Sequence, residues 1–309
     1  MPLRITPLHP HVGAEISGID LAAPVSQAQV EEIEHAINRH AVLVFRNQRL
    51  TDAQQLSFSR NFGPLEISPN YVAGVKPRLP DPQLIDISNI GPDGRVLPPG
   101  DRRREYDLGN QLWHTDSSFK HVPAKLSLLM AQEVPPAGGE TEFTDMRAAY
   151  DALPEERKRL ITDLVVEHSI FRSRSQIGFT EFDPTLHEKL PPVRQTMVRR
   201  HPGSGRMSLY LASHASHVIG WPVEKGRALI EELIAFATQP QFVFRHEWRV
   251  DDLVVWDNRC TMHRGRPYDP AHRRVMQRTT VADIANTLDQ AAAWSATPAR
   301  VTGEARESP

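Results

Sequence analysis

Two histidines and one aspartate have the types and the spacing to bind a transition metal. His114 and Asp116 are separated by one residue, and His263 follows far downstream, before Arg274 and Arg278. Two imidazoles and one carboxylate form the facial triad that leaves coordination positions open on non-haem Fe(II). The two arginines would supply fixed cations for acidic ligands of such a site. Together these residues suggest an oxygenase.

Whether the His-x-Asp pair binds a metal depends on the elements around it. Residues two apart in an extended strand point the same way, so His114 and Asp116 can both face the interior of a barrel. We expect His263 to arrive from across the barrel, on the second strand of a hairpin predicted at 253–256 and 260–263. Because a chain of this composition should contain roughly one His-x-Asp by chance, the motif alone predicts little.

The two arginines would lie on one face of a strand. If residues 274–281 are extended, Arg274, Met276 and Arg278 point to the same side. Two inward guanidinium groups are costly unless each meets an anion. Two acidic small molecules, or one with two carboxylates, would satisfy them. The alternative is a pair of surface arginines in a basic run with Arg273.

Length and composition exclude several classes of protein. A chain of 309 residues can form one large domain with a substantial core. Lys plus Arg (36) nearly balance Asp plus Glu (38), so no global charge would recruit nucleic acid or an anionic membrane. The single cysteine excludes an intrachain disulfide and a thiolate-rich metal site. No apolar run reaches membrane-spanning length, and we expect a soluble, cytoplasmic protein.

The predicted elements favour a mainly β fold with flanking helices. Short strand candidates lie at 41–45, 84–88, 125–130, 140–144, 209–212, 242–244, 253–256 and 278–281. Helices are predicted after the capping residues Ser26 and Thr51, and at 146–153, 155–164 and 223–238. Many short strands with Gly and Pro turns are typical of a sandwich or jelly roll rather than of an alternating parallel sheet.

We predict one domain over residues 1–285. Within it, the stretch 66–106 is rich in Pro, Gly and charge and contains a single strand candidate. A loop of this length in a compact domain is usually a lid or binding loop, so we interpret it as a lid-like insert, with a plain surface loop as the alternative. The small, polar tail at 286–309 predicts a frayed helix or a flexible segment.

Four ordered motifs resemble those of a known enzyme family. They are WHTDSSF at 113–119, PPAGGETEF at 135–143, HPGSGR at 201–206 and WDNRCTMHR at 256–264. With them, the chain resembles the taurine/2,4-dichlorophenoxyacetate (TauD/TfdA) dioxygenase family from about Ile5 to Ala285. The segments NQLWHTDSSF, DMRAAYDALP and HASHVIG are most similar to its aryloxyalkanoate branch.

The resemblance implies a double-stranded β-helix that binds Fe(II) and consumes 2-oxoglutarate and O₂. By motif position, the iron ligands would be His114, Asp116 and His263. Thr141 and Arg274 would hold the distal carboxylate of 2-oxoglutarate, and Trp256 would pack beside that cosubstrate. A threonine hydroxyl donates one hydrogen bond and a guanidinium matches a carboxylate with two, so both residue types suit this role.

The same resemblance assigns a substrate pocket. Arg278 would meet the acidic group of the substrate, and Asn110 and Ser117 would line the same pocket. His214 and His217 lie in HASHVIG, where ordinary surface or core histidines are favoured over a substrate role.

The implied reaction is hydroxylation of a small acid such as 2,4-dichlorophenoxyacetate, with cleavage of the ether to a phenol and an oxoacid and release of succinate and CO₂. Two alternatives stay open. One is an alkylsulfonate (taurine-type) dioxygenase that releases sulfite. The other is a non-catalytic jelly-roll module that binds an anion. The resemblance also implies a homo-oligomer, whereas no nucleic-acid or membrane partner is expected.

Overall fold

The computed structural model describes residues 3–67 and 76–296. Its strands are β1 (Arg4–Pro7), β2 (Ala14–Ser17), β3 (Val42–Phe45), β4 (Ile85–Asp86), β5 (Ala124–Glu133), β6 (Thr141–Asp145), β7 (Val165–His168), β8 (Val193–Thr196), β9 (Val198–Arg200), β10 (Met207–Leu209), β11 (Ala215–Val218), β12 (Val243–His246), β13 (Leu253–Asp257), β14 (Thr261–Gly265) and β15 (Val275–Ala282). Its helices are α1 (Gln27–His40), α2 (Asp52–Arg60), α3 (Arg102–Asp107), α4 (Met146–Asp151), α5 (Glu155–Ile161), α6 (Ile170–Ser175), α7 (Leu186–Lys189), α8 (Val223–Ala237) and α9 (Thr287–Ala296).

Two sheets enclose the part of the core that carries the site. The larger has the order β1-β2-β3-β13-β5-β15-β4, and the smaller has the order β12-β6-β14. Phe143 of β6 packs in one buried cluster with Trp256 of β13 and Met276 of β15, so the inner faces of the two sheets meet there. This arrangement confirms the expected mainly β jelly roll with flanking helices.

The first helix forms where the sequence predicts it. Ser26 and Gln29 make a reciprocal capping box at its start, and the buried face includes Val30, Ile33 and Ile37. These side chains pack in one cluster with apolar residues of β3, β5 and β13, which lie on the outer side of the larger sheet. Helix α1 therefore covers this sheet and leaves its inner face to the site.

Strand β15 carries the two arginines inward. It pairs with β5 along its length and with β4 at Gln277 and Arg278. Gln277 points to α2, where its amide bonds to Gln55, so the alternation of the strand puts Met276 and Arg278 on the opposite, inner face. A bulge between Val275 and Met276 precedes this stretch.

Three sequence expectations about the strands are wrong. His114 and Asp116 do not lie in a regular strand, because His114 makes an isolated bridge to His263 and a turn follows. His263 therefore lies beside His114 rather than across the barrel. The predicted hairpin at 253–263 is also absent, since β13 and β14 belong to different sheets and the turn between them carries the chain from one to the other.

The third error concerns the apolar run at 209–212. Strand β10 ends at Leu209, and the next strand, β11, begins at Ala215. The residues between them are buried without being part of a strand. An apolar run of four residues is compatible with any buried segment, so its hydrophobicity alone does not show whether the segment is a strand.

The predicted insert and tail fall partly outside the described residues. Residues 76–106 contain β4 and most of α3, whereas 68–75 are not described. Helix α9 covers 287–296, and residues 297–309 of the predicted tail are not described either. In the ranges 3–67 and 76–296, no helix is long and apolar enough to cross a membrane.

Candidate active site

His114, Asp116 and His263 come together inside the jelly roll. The backbones of the two histidines are joined by a pair of hydrogen bonds, from His114 N to His263 O (3.0 Å) and from His263 N to His114 O (2.7 Å). The Nε2 atoms of His114 and His263 lie 3.9 and 3.8 Å from the two carboxylate oxygens of Asp116. One nitrogen or oxygen atom from each residue lies within 4.8 Å of the others, so a single cation can contact all three.

The protonation states suit metal binding. Burial, and for His263 also the neighbouring His114, lowers the pKa of both imidazoles, so both are neutral at physiological pH. His114 Nδ1 lies 2.7 Å from Leu112 O, a contact that places the proton on Nδ1 and leaves the Nε2 lone pair free. Burial alone would raise the pKa of Asp116, but the Arg278 guanidinium and the hydrogen bond from Ser127 hold it well below its usual value.

Hydrogen bonds fix the carboxylate of Asp116. Ser127 Oγ donates to Asp116 Oδ2 (2.7 Å), and Arg278 Nη1 donates to Asp116 Oδ1. Asn258 supports this arrangement, since its Nδ2 donates to Ser127 Oγ (2.9 Å) and its Oδ1 accepts from Asp116 N (3.0 Å). The same Oδ1 accepts from the indole Nε1 of Trp256 (3.0 Å). One buried amide thus orients three groups of the site.

A cavity of about 250 Å³, the smaller cavity, opens on one side of this cluster. It is lined by Thr141, Trp256, His263 and Arg274. Burial lowers the pKa of Arg274, and its Nε is buried without a hydrogen-bond partner among the described residues. A buried guanidinium with an open donor beside a threonine hydroxyl is suited to bind a carboxylate.

The strand that carries Thr141 is positioned by its turn and by a tryptophan. Gly138 and Gly139 precede it with φ of 76° and 74°, a conformation that side chains rarely adopt. A Cβ on Gly138 would lie 2.6 Å from Pro267 O. Trp248 Nε1 donates to Thr141 Oγ1 (2.9 Å), so the hydroxyl proton of Thr141 is free to point elsewhere.

A cavity of about 410 Å³, the larger cavity, opens on the other side. Asn110, Ser117 and Arg278, which the sequence analysis assigned to a substrate pocket, all line it, and Asn110 and Arg278 line the smaller cavity too. Ser117, at φ 55°, donates from Oγ to Glu66 Oε2 (2.8 Å). Apolar side chains also contribute, among them Leu79, Leu84, Ile85, Phe119 and Ile170. The described part of the insert thus forms much of this wall.

His214 is a site residue that the sequence reasoning did not favour. It is buried, lines the larger cavity, and its ring packs edge-on against His114 and Phe119. Burial and the nearby His114 lower its pKa well below the usual value, so it is a neutral side chain. His217, from the same motif, is only half-buried and contacts Ser216 and Glu167 instead.

A second group of metal-ligating residue types has another explanation. His201, Asp257 and Cys260 lie close together and are buried. Asp257 accepts hydrogen bonds from Arg259 Nε (2.9 Å) and Nη2 (2.6 Å), and its Oδ2 lies 2.9 Å from His201 Nε2. Because both carboxylate oxygens are used, this cluster is a closed ion-pair network at the end of β13.

Three residues that position or line the site give no signal in the sequence. Asn258 lies in a stretch predicted only as a turn, and its contact Ser127 is 131 residues away. Trp248 reaches Thr141 over 107 residues. Arg174 lines the larger cavity from α6, a helix that the periodicity does not indicate. Their roles depend on tertiary contacts.

Comparisons with known proteins place the chain among dioxygenases. Residues 4–280 match the family model described as "Taurine catabolism dioxygenase TauD, TfdA family". The α-ketoglutarate-dependent 2,4-dichlorophenoxyacetate dioxygenase of Cupriavidus pinatubonensis is 46% identical over 285 residues, which are 92% of this chain and 99% of that protein. The (S)-phenoxypropionate/α-ketoglutarate dioxygenase of Sphingobium herbicidovorans is 37% identical over 287 residues, 90% and 94% of the two chains.

A solved structure is similar over the same range. The crystal structure of AAD-2 in complex with Mn(II) and N-oxalylglycine superposes with a TM-score of 0.85 at 47% identity. The match covers 93% of this chain and 99% of the other.

Proposed function

This chain belongs to the TauD/TfdA family of taurine catabolism dioxygenases, and we propose that it hydroxylates a small aryloxyalkanoate acid such as 2,4-dichlorophenoxyacetate. It is a 2-oxoglutarate-dependent dioxygenase that uses Fe(II) and O₂. The observation that carries the proposal is the meeting of two cavities at His114, with Arg274 in the smaller one and Arg278 lining both. The relative that is 46% identical is named for this substrate.

The Fe(II) is held by His114, Asp116 and His263. Two neutral imidazoles and an ionised carboxylate fit this ion, because they are the ligand set of the facial triad. When bound with 2-oxoglutarate and O₂, the iron supplies the oxidising chemistry that converts a C–H bond to C–OH, while the cosubstrate becomes succinate and CO₂. Ser127 and Asn258 keep the carboxylate of Asp116 in one orientation for this purpose.

The smaller cavity holds 2-oxoglutarate. Arg274 binds its distal carboxylate through the open Nε and the rest of its guanidinium, and Thr141 donates its hydroxyl proton to the same group. Trp248 leaves that proton available because it occupies a lone pair of the hydroxyl oxygen. Trp256 forms an apolar wall beside the cosubstrate, with its indole fixed by Asn258.

The larger cavity holds the substrate acid. Arg278 anchors the carboxylate, and its contact with Asp116 places that carboxylate next to the metal ligands. In an aryloxyacetate the carbon beside the carboxylate also bears the ether oxygen. Hydroxylation there gives a hemiacetal that collapses to a phenol and an oxoacid. Asn110 and Ser117 complete the polar end, and the apolar wall takes the ring and excludes water.

The direct test is a turnover assay. Purified protein with Fe(II), ascorbate and 2-oxoglutarate should release 2,4-dichlorophenol from 2,4-dichlorophenoxyacetate, with one succinate per phenol. His114→Ala should abolish both products. His217→Ala is the matched control, because this half-buried histidine contacts Ser216 and Glu167 outside both cavities, and it should keep the wild-type rate.

The assay also separates the alternatives. An alkylsulfonate dioxygenase would release sulfite from taurine and no phenol from aryloxy acids. If no aryloxy acid and no sulfonate stimulates succinate formation, the proposed function is wrong, and a non-catalytic anion-binding module becomes the better explanation. Two further proposals follow from the family: a homo-oligomer, which light scattering of the purified protein tests, and a cytoplasmic location, which cell fractionation tests.

A further inference from the structure

The larger cavity contains a buried guanidinium that the proposed function does not use. Arg174, on α6, lines this cavity and is 5% exposed. Its Nη1 donates to Ser173 Oγ (3.0 Å), its Nη2 lies 3.5 Å from Asn110 Oδ1, and its Nε has no hydrogen-bond partner among the described residues. Both contacts are to neutral oxygens, so they do not neutralise the charge.

The other guanidinium groups of this cavity are already paired. Arg78 pairs with Asp86, Arg103 with Asp101, and Arg278 with Asp116. Within residues 3–67 and 76–296, no ion pair includes Arg174. By its sequence, SPNYVAGV, the segment 68–75 has no carboxylate to offer. A buried guanidinium that forms no ion pair with the described carboxylates is costly, which points to an anion that binds there.

The surroundings hold this guanidinium in place. Its central carbon lies 4.1 Å from the ring centroid of Tyr106, a cation–π contact. On another side it packs against Gly109, where a Cβ would lie 2.1 Å from Nη1. Asn110 touches both Arg174 and Asp107, and burial raises the pKa of Asp107 to about 7. Asp107 is therefore only partly ionised at neutral pH and compensates the charge of Arg174 incompletely.

We propose that Arg174 forms a second anion site in the larger cavity and that the preferred substrate is an aryloxyalkanoate with a second carboxylate on its ring. This inference rests on the proposed function, in which Arg278 holds the first carboxylate near the metal ligands. Arg174 and Arg278 line this cavity from different elements, α6 and β15, and a volume of about 410 Å³ has room for an aryl ring that carries two acidic groups.

The test compares five compounds in the wild-type enzyme. They are phenoxyacetate, its 3- and 4-carboxy derivatives, and the matching carbamoyl derivatives, which keep the shape and remove the charge. KM is measured by succinate formation. Kd is measured by fluorescence titration of protein loaded with Mn(II) and N-oxalylglycine, which cannot turn over. At least one carboxy derivative should bind about tenfold or more tightly than its carbamoyl counterpart.

Variants assign the preference to one residue. Arg174→Gln should remove it, so that each carboxy derivative binds no more tightly than its carbamoyl counterpart, whereas Arg174→Lys, which keeps the charge, should retain most of the preference. Arg172→Gln is the matched control, because Arg172 lies on the same helix outside both cavities, and it should bind all the substrates as the wild type does.

Two results would overturn the second anion site. One is a wild-type enzyme that turns over phenoxyacetate without any preference for the carboxy derivatives, a result that needs no variant and leaves the proposed function intact. The other is an equal rise of KM for all five compounds in Arg174→Gln, which would mean that both arginines clamp a single carboxylate. If the wild type turns over none of the acids, the proposed function itself fails.

Discussion

Replacing Asn258 by alanine should weaken metal binding at a site that the residue does not touch. Its side chain accepts hydrogen bonds from Asp116 N and Trp256 Nε1 and donates to Ser127 Oγ, which in turn donates to Asp116 Oδ2. Without the amide, the Ser127 hydroxyl can rotate away and the Asp116 carboxylate loses its fixed orientation. The free energy of unfolding and the metal affinity should therefore both fall.

The two effects have different sizes and different causes. Three buried neutral hydrogen bonds are lost, at about 0.5–1.5 kcal/mol each, so the free energy of unfolding should fall by about 2–4 kcal/mol. Loss of a residue that orients a metal ligand typically costs about 10- to 100-fold in metal affinity. We expect a weakening of that size for Mn(II), a redox-stable probe of the site.

Asn286→Ala provides the control. Asn286 is also buried, and its side chain donates to His121 O and Arg194 O and accepts from Leu288 N. It lies at the start of α9, away from the metal ligands. Both variants should show a similar drop in melting temperature, while calorimetric titration with Mn(II) should show a weaker Kd only for Asn258→Ala. A Kd within twofold of wild type, or an equal weakening in both variants, would refute the reasoning.

Three other changes have distinct expected outcomes. Trp248→Phe removes the donor to Thr141, so the KM for 2-oxoglutarate should rise about fivefold, equivalent to about 1 kcal/mol. This KM is measured by succinate formation at a fixed concentration of the substrate acid, and an unchanged value would contradict the prediction. Asp107, with its pKa raised to about 7 by burial, is neutral below pH 7 and anionic above it, beside both cavities. The KM for the acidic substrate should therefore rise between pH 6 and 8.5. In Asp107→Asn the KM should depend less on pH, and a rise as steep as that of the wild type would contradict this prediction. Arg278→Gln removes a charge-assisted anchor worth about 1.5–3 kcal/mol, so KM for the substrate acid should rise about 10- to 100-fold while KM for 2-oxoglutarate changes little. Equal changes in both constants would show instead a general distortion of the metal site.

The elements that could be predicted are those whose signals are local. The capping box at Ser26 and the apolar face of α1 lie within a few turns of helix, and the structure has both where the pattern predicts them. The same holds for the alternation on β15, which places Arg278 inward because neighbouring side chains of a strand point to opposite faces.

The errors arise where the chain changes sheet. The sequence at 253–263 has two apolar runs and a turn, which also describes a hairpin, but the turn at Asn258 carries the chain between two sheets. His114 and His263 pair as a single isolated bridge, and one bridge has no periodicity to detect. Asn258, Trp248 and Arg174 act on residues far away in the sequence, so only the folded chain brings their roles together.

The backbone bridge between His114 and His263 has a consequence for how the enzyme handles iron loss. Its two hydrogen bonds join residues that are remote in the chain, and they require no cation. Removal of the metal by a chelator should leave the imidazoles side by side, with the amide protons of both residues still protected from hydrogen exchange. The protein would then behave as a reloadable scaffold, able to release a damaged or wrong metal ion and recover activity on simple addition of Fe(II), without refolding.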